Sequence, residues 1–162
     1  MMRICLTIGI ALTIGLTGCA MNDNLPSNPD ERILVVKKQA QDAEMKAAKL
    51  VPADARSGIE QIKQGTLLSC SSGKQWSGNT RIQLVDPKRG DTVLDDLGTE
   101  AADHGFTVTR NTTADGAPRL RMVDDQGTTL LVTVWVDRNS IDMDSFSECF
   151  SLPEEFVPER SY

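Results

Sequence analysis

Apolar and polar residues are distributed along this chain in three distinct patterns. From Ile4 to Leu16 no charged residue occurs at all. From Pro29 to Leu50 the apolar positions Ile33, Val36, Ala40, Ala43, Ala47 and Leu50 recur three and four apart, which predicts one amphipathic helix. From Ser57 onward the runs are short and alternate with period two, the signature of strands with one buried face.

The first helix carries its own boundaries. Asn28-Pro29-Asp30-Glu31 offers a capping side chain, proline at the first helical position and a glutamate three residues after the cap. Pro52 stops it, and Asp42 with Lys46 reads as an ion pair on its wet side. Beyond it, Gly58 to Gln64, Thr66 to Cys70 and Gln75 to Val85 read as strands, the last with Ile82 and Leu84 facing in and Arg81 and Gln83 facing out. After Pro87 a second helix is expected, capped by Asp91, with Leu94, Leu97, Ala101 and His104 inward and Gly105 as its closing residue. Four further strands follow, Phe106 to Thr112, Arg119 to Val123, Thr128 to Asp137 and Ile141 to Phe150, joined by short turns rich in Asp and Gly. Connections this short require antiparallel neighbours. The expected fold is therefore α+β: a single antiparallel β-sheet meander with two helices packed on one face.

The uncharged opening run changes the picture of where the chain resides. A positive Arg3 followed by Ile4 to Leu16 has the layout of a secretory signal, and the run is too short for a span of about 20 apolar residues. It ends in Leu16-Thr17-Gly18-Cys19, which resembles the lipobox of bacterial lipoproteins. That resemblance implies a signal peptide over residues 1–18, removed before Cys19, whose thiol receives a diacylglyceryl group. Small residues at 17 and 18 suit an extended backbone in a peptidase cleft, and a thiolate is the nucleophile that accepts the lipid. Two or more acyl chains hold a protein stably on a bilayer. The expected location is the extracytoplasmic face of the cell membrane. Residues 19–27 would then be a short tether, 28–152 one domain, and 153–162, proline-punctuated and without a period, a flexible tail.

Charge and cysteine usage narrow the partners. The signal region holds one of the 17 basic residues and none of the 23 acidic ones, so the chain from Cys19 carries 16 against 23, a formal charge of −7. Nucleic acid and anionic headgroups are poor partners for it. Of four cysteines, Cys5 leaves with the signal and Cys19 takes the lipid, leaving Cys70 and Cys149. In an exported protein these most simply pair, the alternative being two free buried thiols. Closing a loop of about 80 residues would add roughly 4 to 5 kcal/mol in the chain-entropy model.

Catalytic constellations are sparse. His104 is the sole histidine, and its place at a helix C-terminus accounts for it through the helix dipole. No serine or cysteine nearby completes a nucleophile motif. Asp142-Met143-Asp144 puts two carboxylates on one outward strand face, short of a cation site. No phosphate loop, His-Glu-x-x-His or close cysteine pair occurs, so no cofactor or metal is expected. The aromatic residues say more. Leu130, Val132, Val134 and Val136 make one apolar side of their strand, yet Leu131 and Trp135 stand on the other, which a sheet covered on one side only should keep polar. Either the fold covers them, for example with the early strands and Trp76, or Trp76, Leu131 and Trp135 mark a candidate binding patch.

Gly65-Thr66-Leu67-Leu68-Ser69-Cys70, Gln75-Trp76-Ser77-Gly78, His104-Gly105-Phe106-Thr107-Val108 and Ser145-Phe146-Ser147-Glu148-Cys149-Phe150 together resemble a group of small, uncharacterised lipoproteins of high-GC Gram-positive bacteria. The resemblance supports the anchor, the paired cysteines and the fold, and carries over no catalytic residue. The expectation is a binding or interaction module of the cell envelope, recognising an envelope protein or a small ligand; the alternative is a small envelope hydrolase. Intact mass of the exported protein is expected to rise by two hydrogens on reduction, and equal masses would discard the Cys70–Cys149 bridge.

Overall fold

The computed structural model describes residues 25–162; the expected signal peptide over 1–18, Cys19 and the expected tether as far as residue 24 lie outside the described residues. Helix α1 (Pro29–Leu50) begins where the capping pattern puts it, with the Asn28 side chain accepting from the Glu31 N–H at 3.1 Å. Its buried side contains Ile33, Val36, Ala40, Ala43 and Ala47, with Leu50 only partly covered. Ala48 and Glu44 are buried as well. Asp42 pairs with Lys38 rather than Lys46, whose ammonium lies 5.0 Å from the centre of the Phe106 ring.

Three strands follow: β1 (Arg56–Gln61), β2 (Thr66–Cys70) and β3 (Gly73–Leu84). Helix α2 (Gly90–Asp103) then leads to β4 (Thr107–Thr112), β5 (Pro118–Val123), β6 (Thr129–Trp135) and β7 (Ser140–Phe146). All pairings are antiparallel in one open seven-stranded sheet of order β1-β3-β7-β6-β5-β4, with β2 also on β3. The meander is confined to β4 through β7. Strand β7 then closes on β3, a pairing between residues about 65 positions apart that joins the two halves of the chain. Along one edge of β3, β2 covers Gly73 to Ser77 and β1 covers Thr80 to Leu84.

Both helices lie on one face, α1 over β1, β3 and β7, and α2 over β4, β5 and β6. Between helices and sheet sits the main core, including Leu84, Leu97, Leu120, Val132, Ile141 and Met143. A second cluster, Ile33, Val36, Ala40, Trp76 and Phe150, fills the space under the first half of α1. Alanines on α1 let its backbone approach the sheet closely. The same economy of space appears on β3, where a Cβ at Gly78 would come within 2.2 Å of the Trp76 ring.

Glu44 is the exception in this apolar layer. Fully buried, its carboxyl accepts from Thr80 Oγ1 on β3 and Gln61 Nε2 on β1, each at 2.7 Å, and from the Ser145 hydroxyl on β7. One side chain therefore ties α1 to three strands. A carboxyl in this position is tolerated because every donor around it is directed at it.

Several boundaries differ from the alternation reading, each for a local reason. Asp86, not Asp91, makes the capping bond, accepting from the Lys88 N–H at 3.0 Å to start a 3-10 turn that runs directly into α2 at Gly90. His104 follows α2 and is exposed, because Gly105 (φ +86°) reverses the chain there and Phe106 enters the core in its place. Strand β6 ends at Trp135; Val136 begins a 3-10 turn and is 63% exposed, so it leaves the apolar side. Strand β7 ends at Phe146, and Phe150 pairs with Lys74 through two backbone bonds of 2.8 Å. Cys149 thus stands past the strand, at disulfide distance from Cys70 with Cα atoms 6.2 Å apart.

The ends of the domain are also more ordered than their composition predicts. Phe156 and Tyr162 pack against the Trp76 cluster, and Tyr162 exchanges backbone bonds with Gly65 at 2.7 and 3.0 Å. Apolar anchors at spaced positions hold residues 153–162 where a flexible tail is expected. Leu25 joins the same cluster and Pro26 O accepts from Arg32 Nε at 2.8 Å, so the last residues of the tether belong to the fold.

Replacing Glu44 with alanine strands the buried hydroxyls of Thr80 and Ser145 and leaves Gln61 Nε2 only its bond to the Gln41 carbonyl, and is expected to lower unfolding stability by about 3 kcal/mol. Glu44→Gln, which keeps an acceptor oxygen, should cost less; urea midpoints at unchanged slope would measure both.

Candidate interaction face of the sheet

Antiparallel register decides which side chains share the face opposite the helices. Successive residues alternate sides, and directly paired residues share one. Glu60, Arg81, Asp142, Thr133, Arg119 and Asn111 therefore form one row across the sheet. The neighbouring row is Asn79, Asp144, Leu131, Arg121 and Thr109. On the other side of the first row, Gln83, Ser140 and Trp135 align.

The candidate patch is only partly assembled. Leu131 and Trp135 do share this open face, Leu131 half-buried and Trp135 37% exposed. Trp76 does not join them. It points to the helix face, fully buried beneath α1, and its Nε1 has no hydrogen-bond partner among the described residues. The reason is parity: Trp76 is an even position on β3 with Ile82 and Leu84, all of which face the core.

Electrostatics give the open face a polarity across β6. On the β7 side, Arg81 grips Asp142 with two bonds of 2.9 Å, and the Ser140 hydroxyl adds a third at 3.1 Å. The Arg81 guanidinium holds the Asp142 carboxyl below its usual range despite partial burial, and Arg81 is raised in turn by the same bonds. Asp144 accepts from Asn79 Nδ2 at 2.9 Å and stays exposed. On the β5 side, Arg119 donates to Asn111 Oδ1 at 3.0 Å and Arg121 contacts Thr129 Oγ1 at 3.4 Å. Neither arginine pairs with a carboxylate among the described residues. At the end of β6, the Arg138 guanidinium lies 5.0 Å from the Trp135 ring centre, a cation–π contact.

A cavity of about 310 Å³ opens where α2 meets the β4–β5 hairpin, lined by Asp91, Leu94, Asp95, Arg110 and Arg119 among others. Arg110 is already bound to Asp95 at 2.7 Å across it. His104 lies elsewhere, with Nδ1 2.8 Å from the Glu100 carbonyl of its own helix and 3.8 Å from the Glu100 carboxylate. Among the described residues no group of three His, Cys, Asp or Glu side chains is placed to hold a metal ion, and no helix is long and apolar enough to cross a membrane.

The charged rows were available in the sequence but not singled out. Arg119-Leu120-Arg121-Met122 alternates strictly, so once Leu120 and Met122 are taken as core, both arginines must face away from the helices. What that pattern omits is their neighbours, because cross-strand partners come from other segments.

No protein-family model matches this chain, and no curated protein does. A solved crystal structure does: a DUF4853 family protein from Actinomyces odontolyticus, 16% identical, with a TM-score of 0.52 over 87% of this chain and 81% of that one. At that identity the likeness is one of fold. It places this architecture in a high-GC Gram-positive organism and in a family without assigned activity.

The Arg81–Asp142 pair makes an acid-stability prediction. Because the carboxyl is held below its unfolded value of about 3.9, its contribution is present above that pH and lost as pH falls through the lower folded value. Asp142→Asn is expected to remove roughly 1 kcal/mol near neutrality, a figure discounted because the Arg81 side chain is 38% exposed. The variant's unfolding curve should also respond less to acid between about pH 5 and pH 2.

Proposed function

We propose that this protein is a membrane-anchored, extracytoplasmic lipoprotein that acts as an interaction module through the open face of its sheet. The observation that carries the reading is the face itself: an uncovered sheet surface where Leu131 and Trp135 stand between unpaired arginines on β5 and carboxylates on β7. Solvated sheet faces are usually polar, and apolar side chains flanked by charge are the composition of recognition surfaces. The anchor rests on Leu16-Thr17-Gly18-Cys19 after an uncharged run, with only five residues between Cys19 and the first packed residue, Leu25. Such a tether keeps the domain within about 25 Å of the bilayer surface.

The hydrolase alternative draws less support. It would need a base beside a nucleophile, and the His104 ring is engaged by its own helix at an exposed turn.

Cys19→Ser tests the anchor. Wild-type protein is expected in the membrane fraction and accessible to protease added outside spheroplasts, while the variant should keep its signal and lose lipid labelling. A variant that is still processed, labelled and recovered like the wild type would overturn the lipid-anchored reading.

A further inference from the structure

The charge arrangement on the open face is complementary to itself. Strand β6 lies in the middle, with Arg119 and Arg121 one strand away on β5 and Asp142 and Asp144 one strand away on β7. Register sets Arg121, Leu131 and Asp144 in one row and Arg119, Thr133 and Asp142 in the next. A two-fold axis running along β6, midway between two facing copies, exchanges left for right but leaves each row at its own height. Each Arg121 then meets the other copy's exposed Asp144, and each Arg119 stands opposite the other copy's Asp142, which stays held by Arg81. The Leu131 side chains meet at the axis, with the Trp135 rings beyond them.

We infer that the partner of this face is a second copy of this chain, bound sheet to sheet about the β6 axis. Facing sheets pack about 10 Å apart with strands within about 30° of aligned, a gap that an arginine and an aspartate bridge together. Because β5 and β7 are each a single strand spacing from the axis, that rotation moves their rows little. Turning one copy end for end instead, about an axis across the strands, would place arginine over arginine, so charge selects between the two isologous arrangements. Acidic patches on another protein would satisfy Arg119 and Arg121 but leave the β7 carboxylates facing like charge.

The position of the N-terminal segment agrees. Leu25 packs with Trp76 and Phe150 at the end of the sheet where β3 begins and the chain leaves β7. An axis along the strands keeps that end common to both copies. On the lipid-anchor reading above, from which this inference takes the face and its setting, both tethers therefore leave toward the same bilayer.

Charge reversal provides the test, using the full chain in non-ionic detergent with mass read by sedimentation equilibrium. Wild type is expected at twice the chain mass. Arg121→Asp alone sets aspartate against Asp144, and Asp144→Arg alone sets arginine against Arg121, so each variant should fall to the single-chain mass. An equal mixture of the two variants pairs opposite charges at both sites and should return to twice the mass. Both side chains are exposed, and unchanged circular dichroism will confirm that each variant is folded. Wild type at single-chain mass, a dimer indifferent to both reversals, or a mixture that fails to recombine would each overturn the inference. None of these outcomes depends on lipid at Cys19, so failure here is distinct from failure of the anchor.

Discussion

The buried carboxyl of Glu44 is the constraint around which the two halves of this protein are assembled. It sits on a helix whose neighbouring positions are alanine, and its three donors come from strands that are separated by up to 84 positions in the chain. Hydrophobic contact alone would let an alanine-faced helix slide or rotate over the sheet, because small side chains make shallow ridges. A hydrogen-bonded carboxyl does not permit that. Moving α1 by one residue would strand the carboxyl and all its donors in an apolar layer, a cost of several kcal/mol. Glu44 thus sets the rotation of α1, which sets the depth available for Trp76. That in turn leaves room only for glycine at position 78.

The same corner gathers the chain's extremities. Trp76, Phe150, Leu25, Phe156 and Tyr162 share one cluster, and the Cys70–Cys149 contact lies beside it, at the end of β2 and past the end of β7. The segment entering at Leu25, the finish of the sheet and Tyr162 are held within one small core. The N-terminal segment at Leu25 thus enters the part of the fold joined to most other parts.

With both helices committed to one face, the other face of the sheet is free to carry chemistry. Its central strand presents Leu131, Thr133 and Trp135 with opposite charges on the strands at either side. Formal charge over the chain is strongly negative, so a partner approaching at random is repelled if acidic and attracted if basic. The open face inverts that expectation locally along β5. Specificity there comes from register: alternate residues on adjacent strands bring arginine, an apolar side chain and aspartate into one line, although they are distant in sequence.

Much of this architecture could be read from the sequence. Asn28-Pro29-Asp30-Glu31 determined the start of α1, because a cap satisfies local backbone groups with local side chains. Period-two runs determined that seven later segments are strands and that Ile82, Leu84, Leu130 and Val132 face the core. The α+β class followed from element order. Glu44 was also within reach, since it lies four residues after Ala40 and three before Ala47, inside the apolar stripe. What no single segment contains is its cover. Trp76 and Trp135 both sit in alternating strands, yet one is sealed beneath α1 and the other faces solvent. Period shows which residues share a side; only long-range pairing of β3 with β7 and docking of the helices decided which side is buried. Residues 153–162 follow the same logic, for a polar, proline-rich segment becomes ordered when a distant cluster offers its few apolar side chains a place to pack.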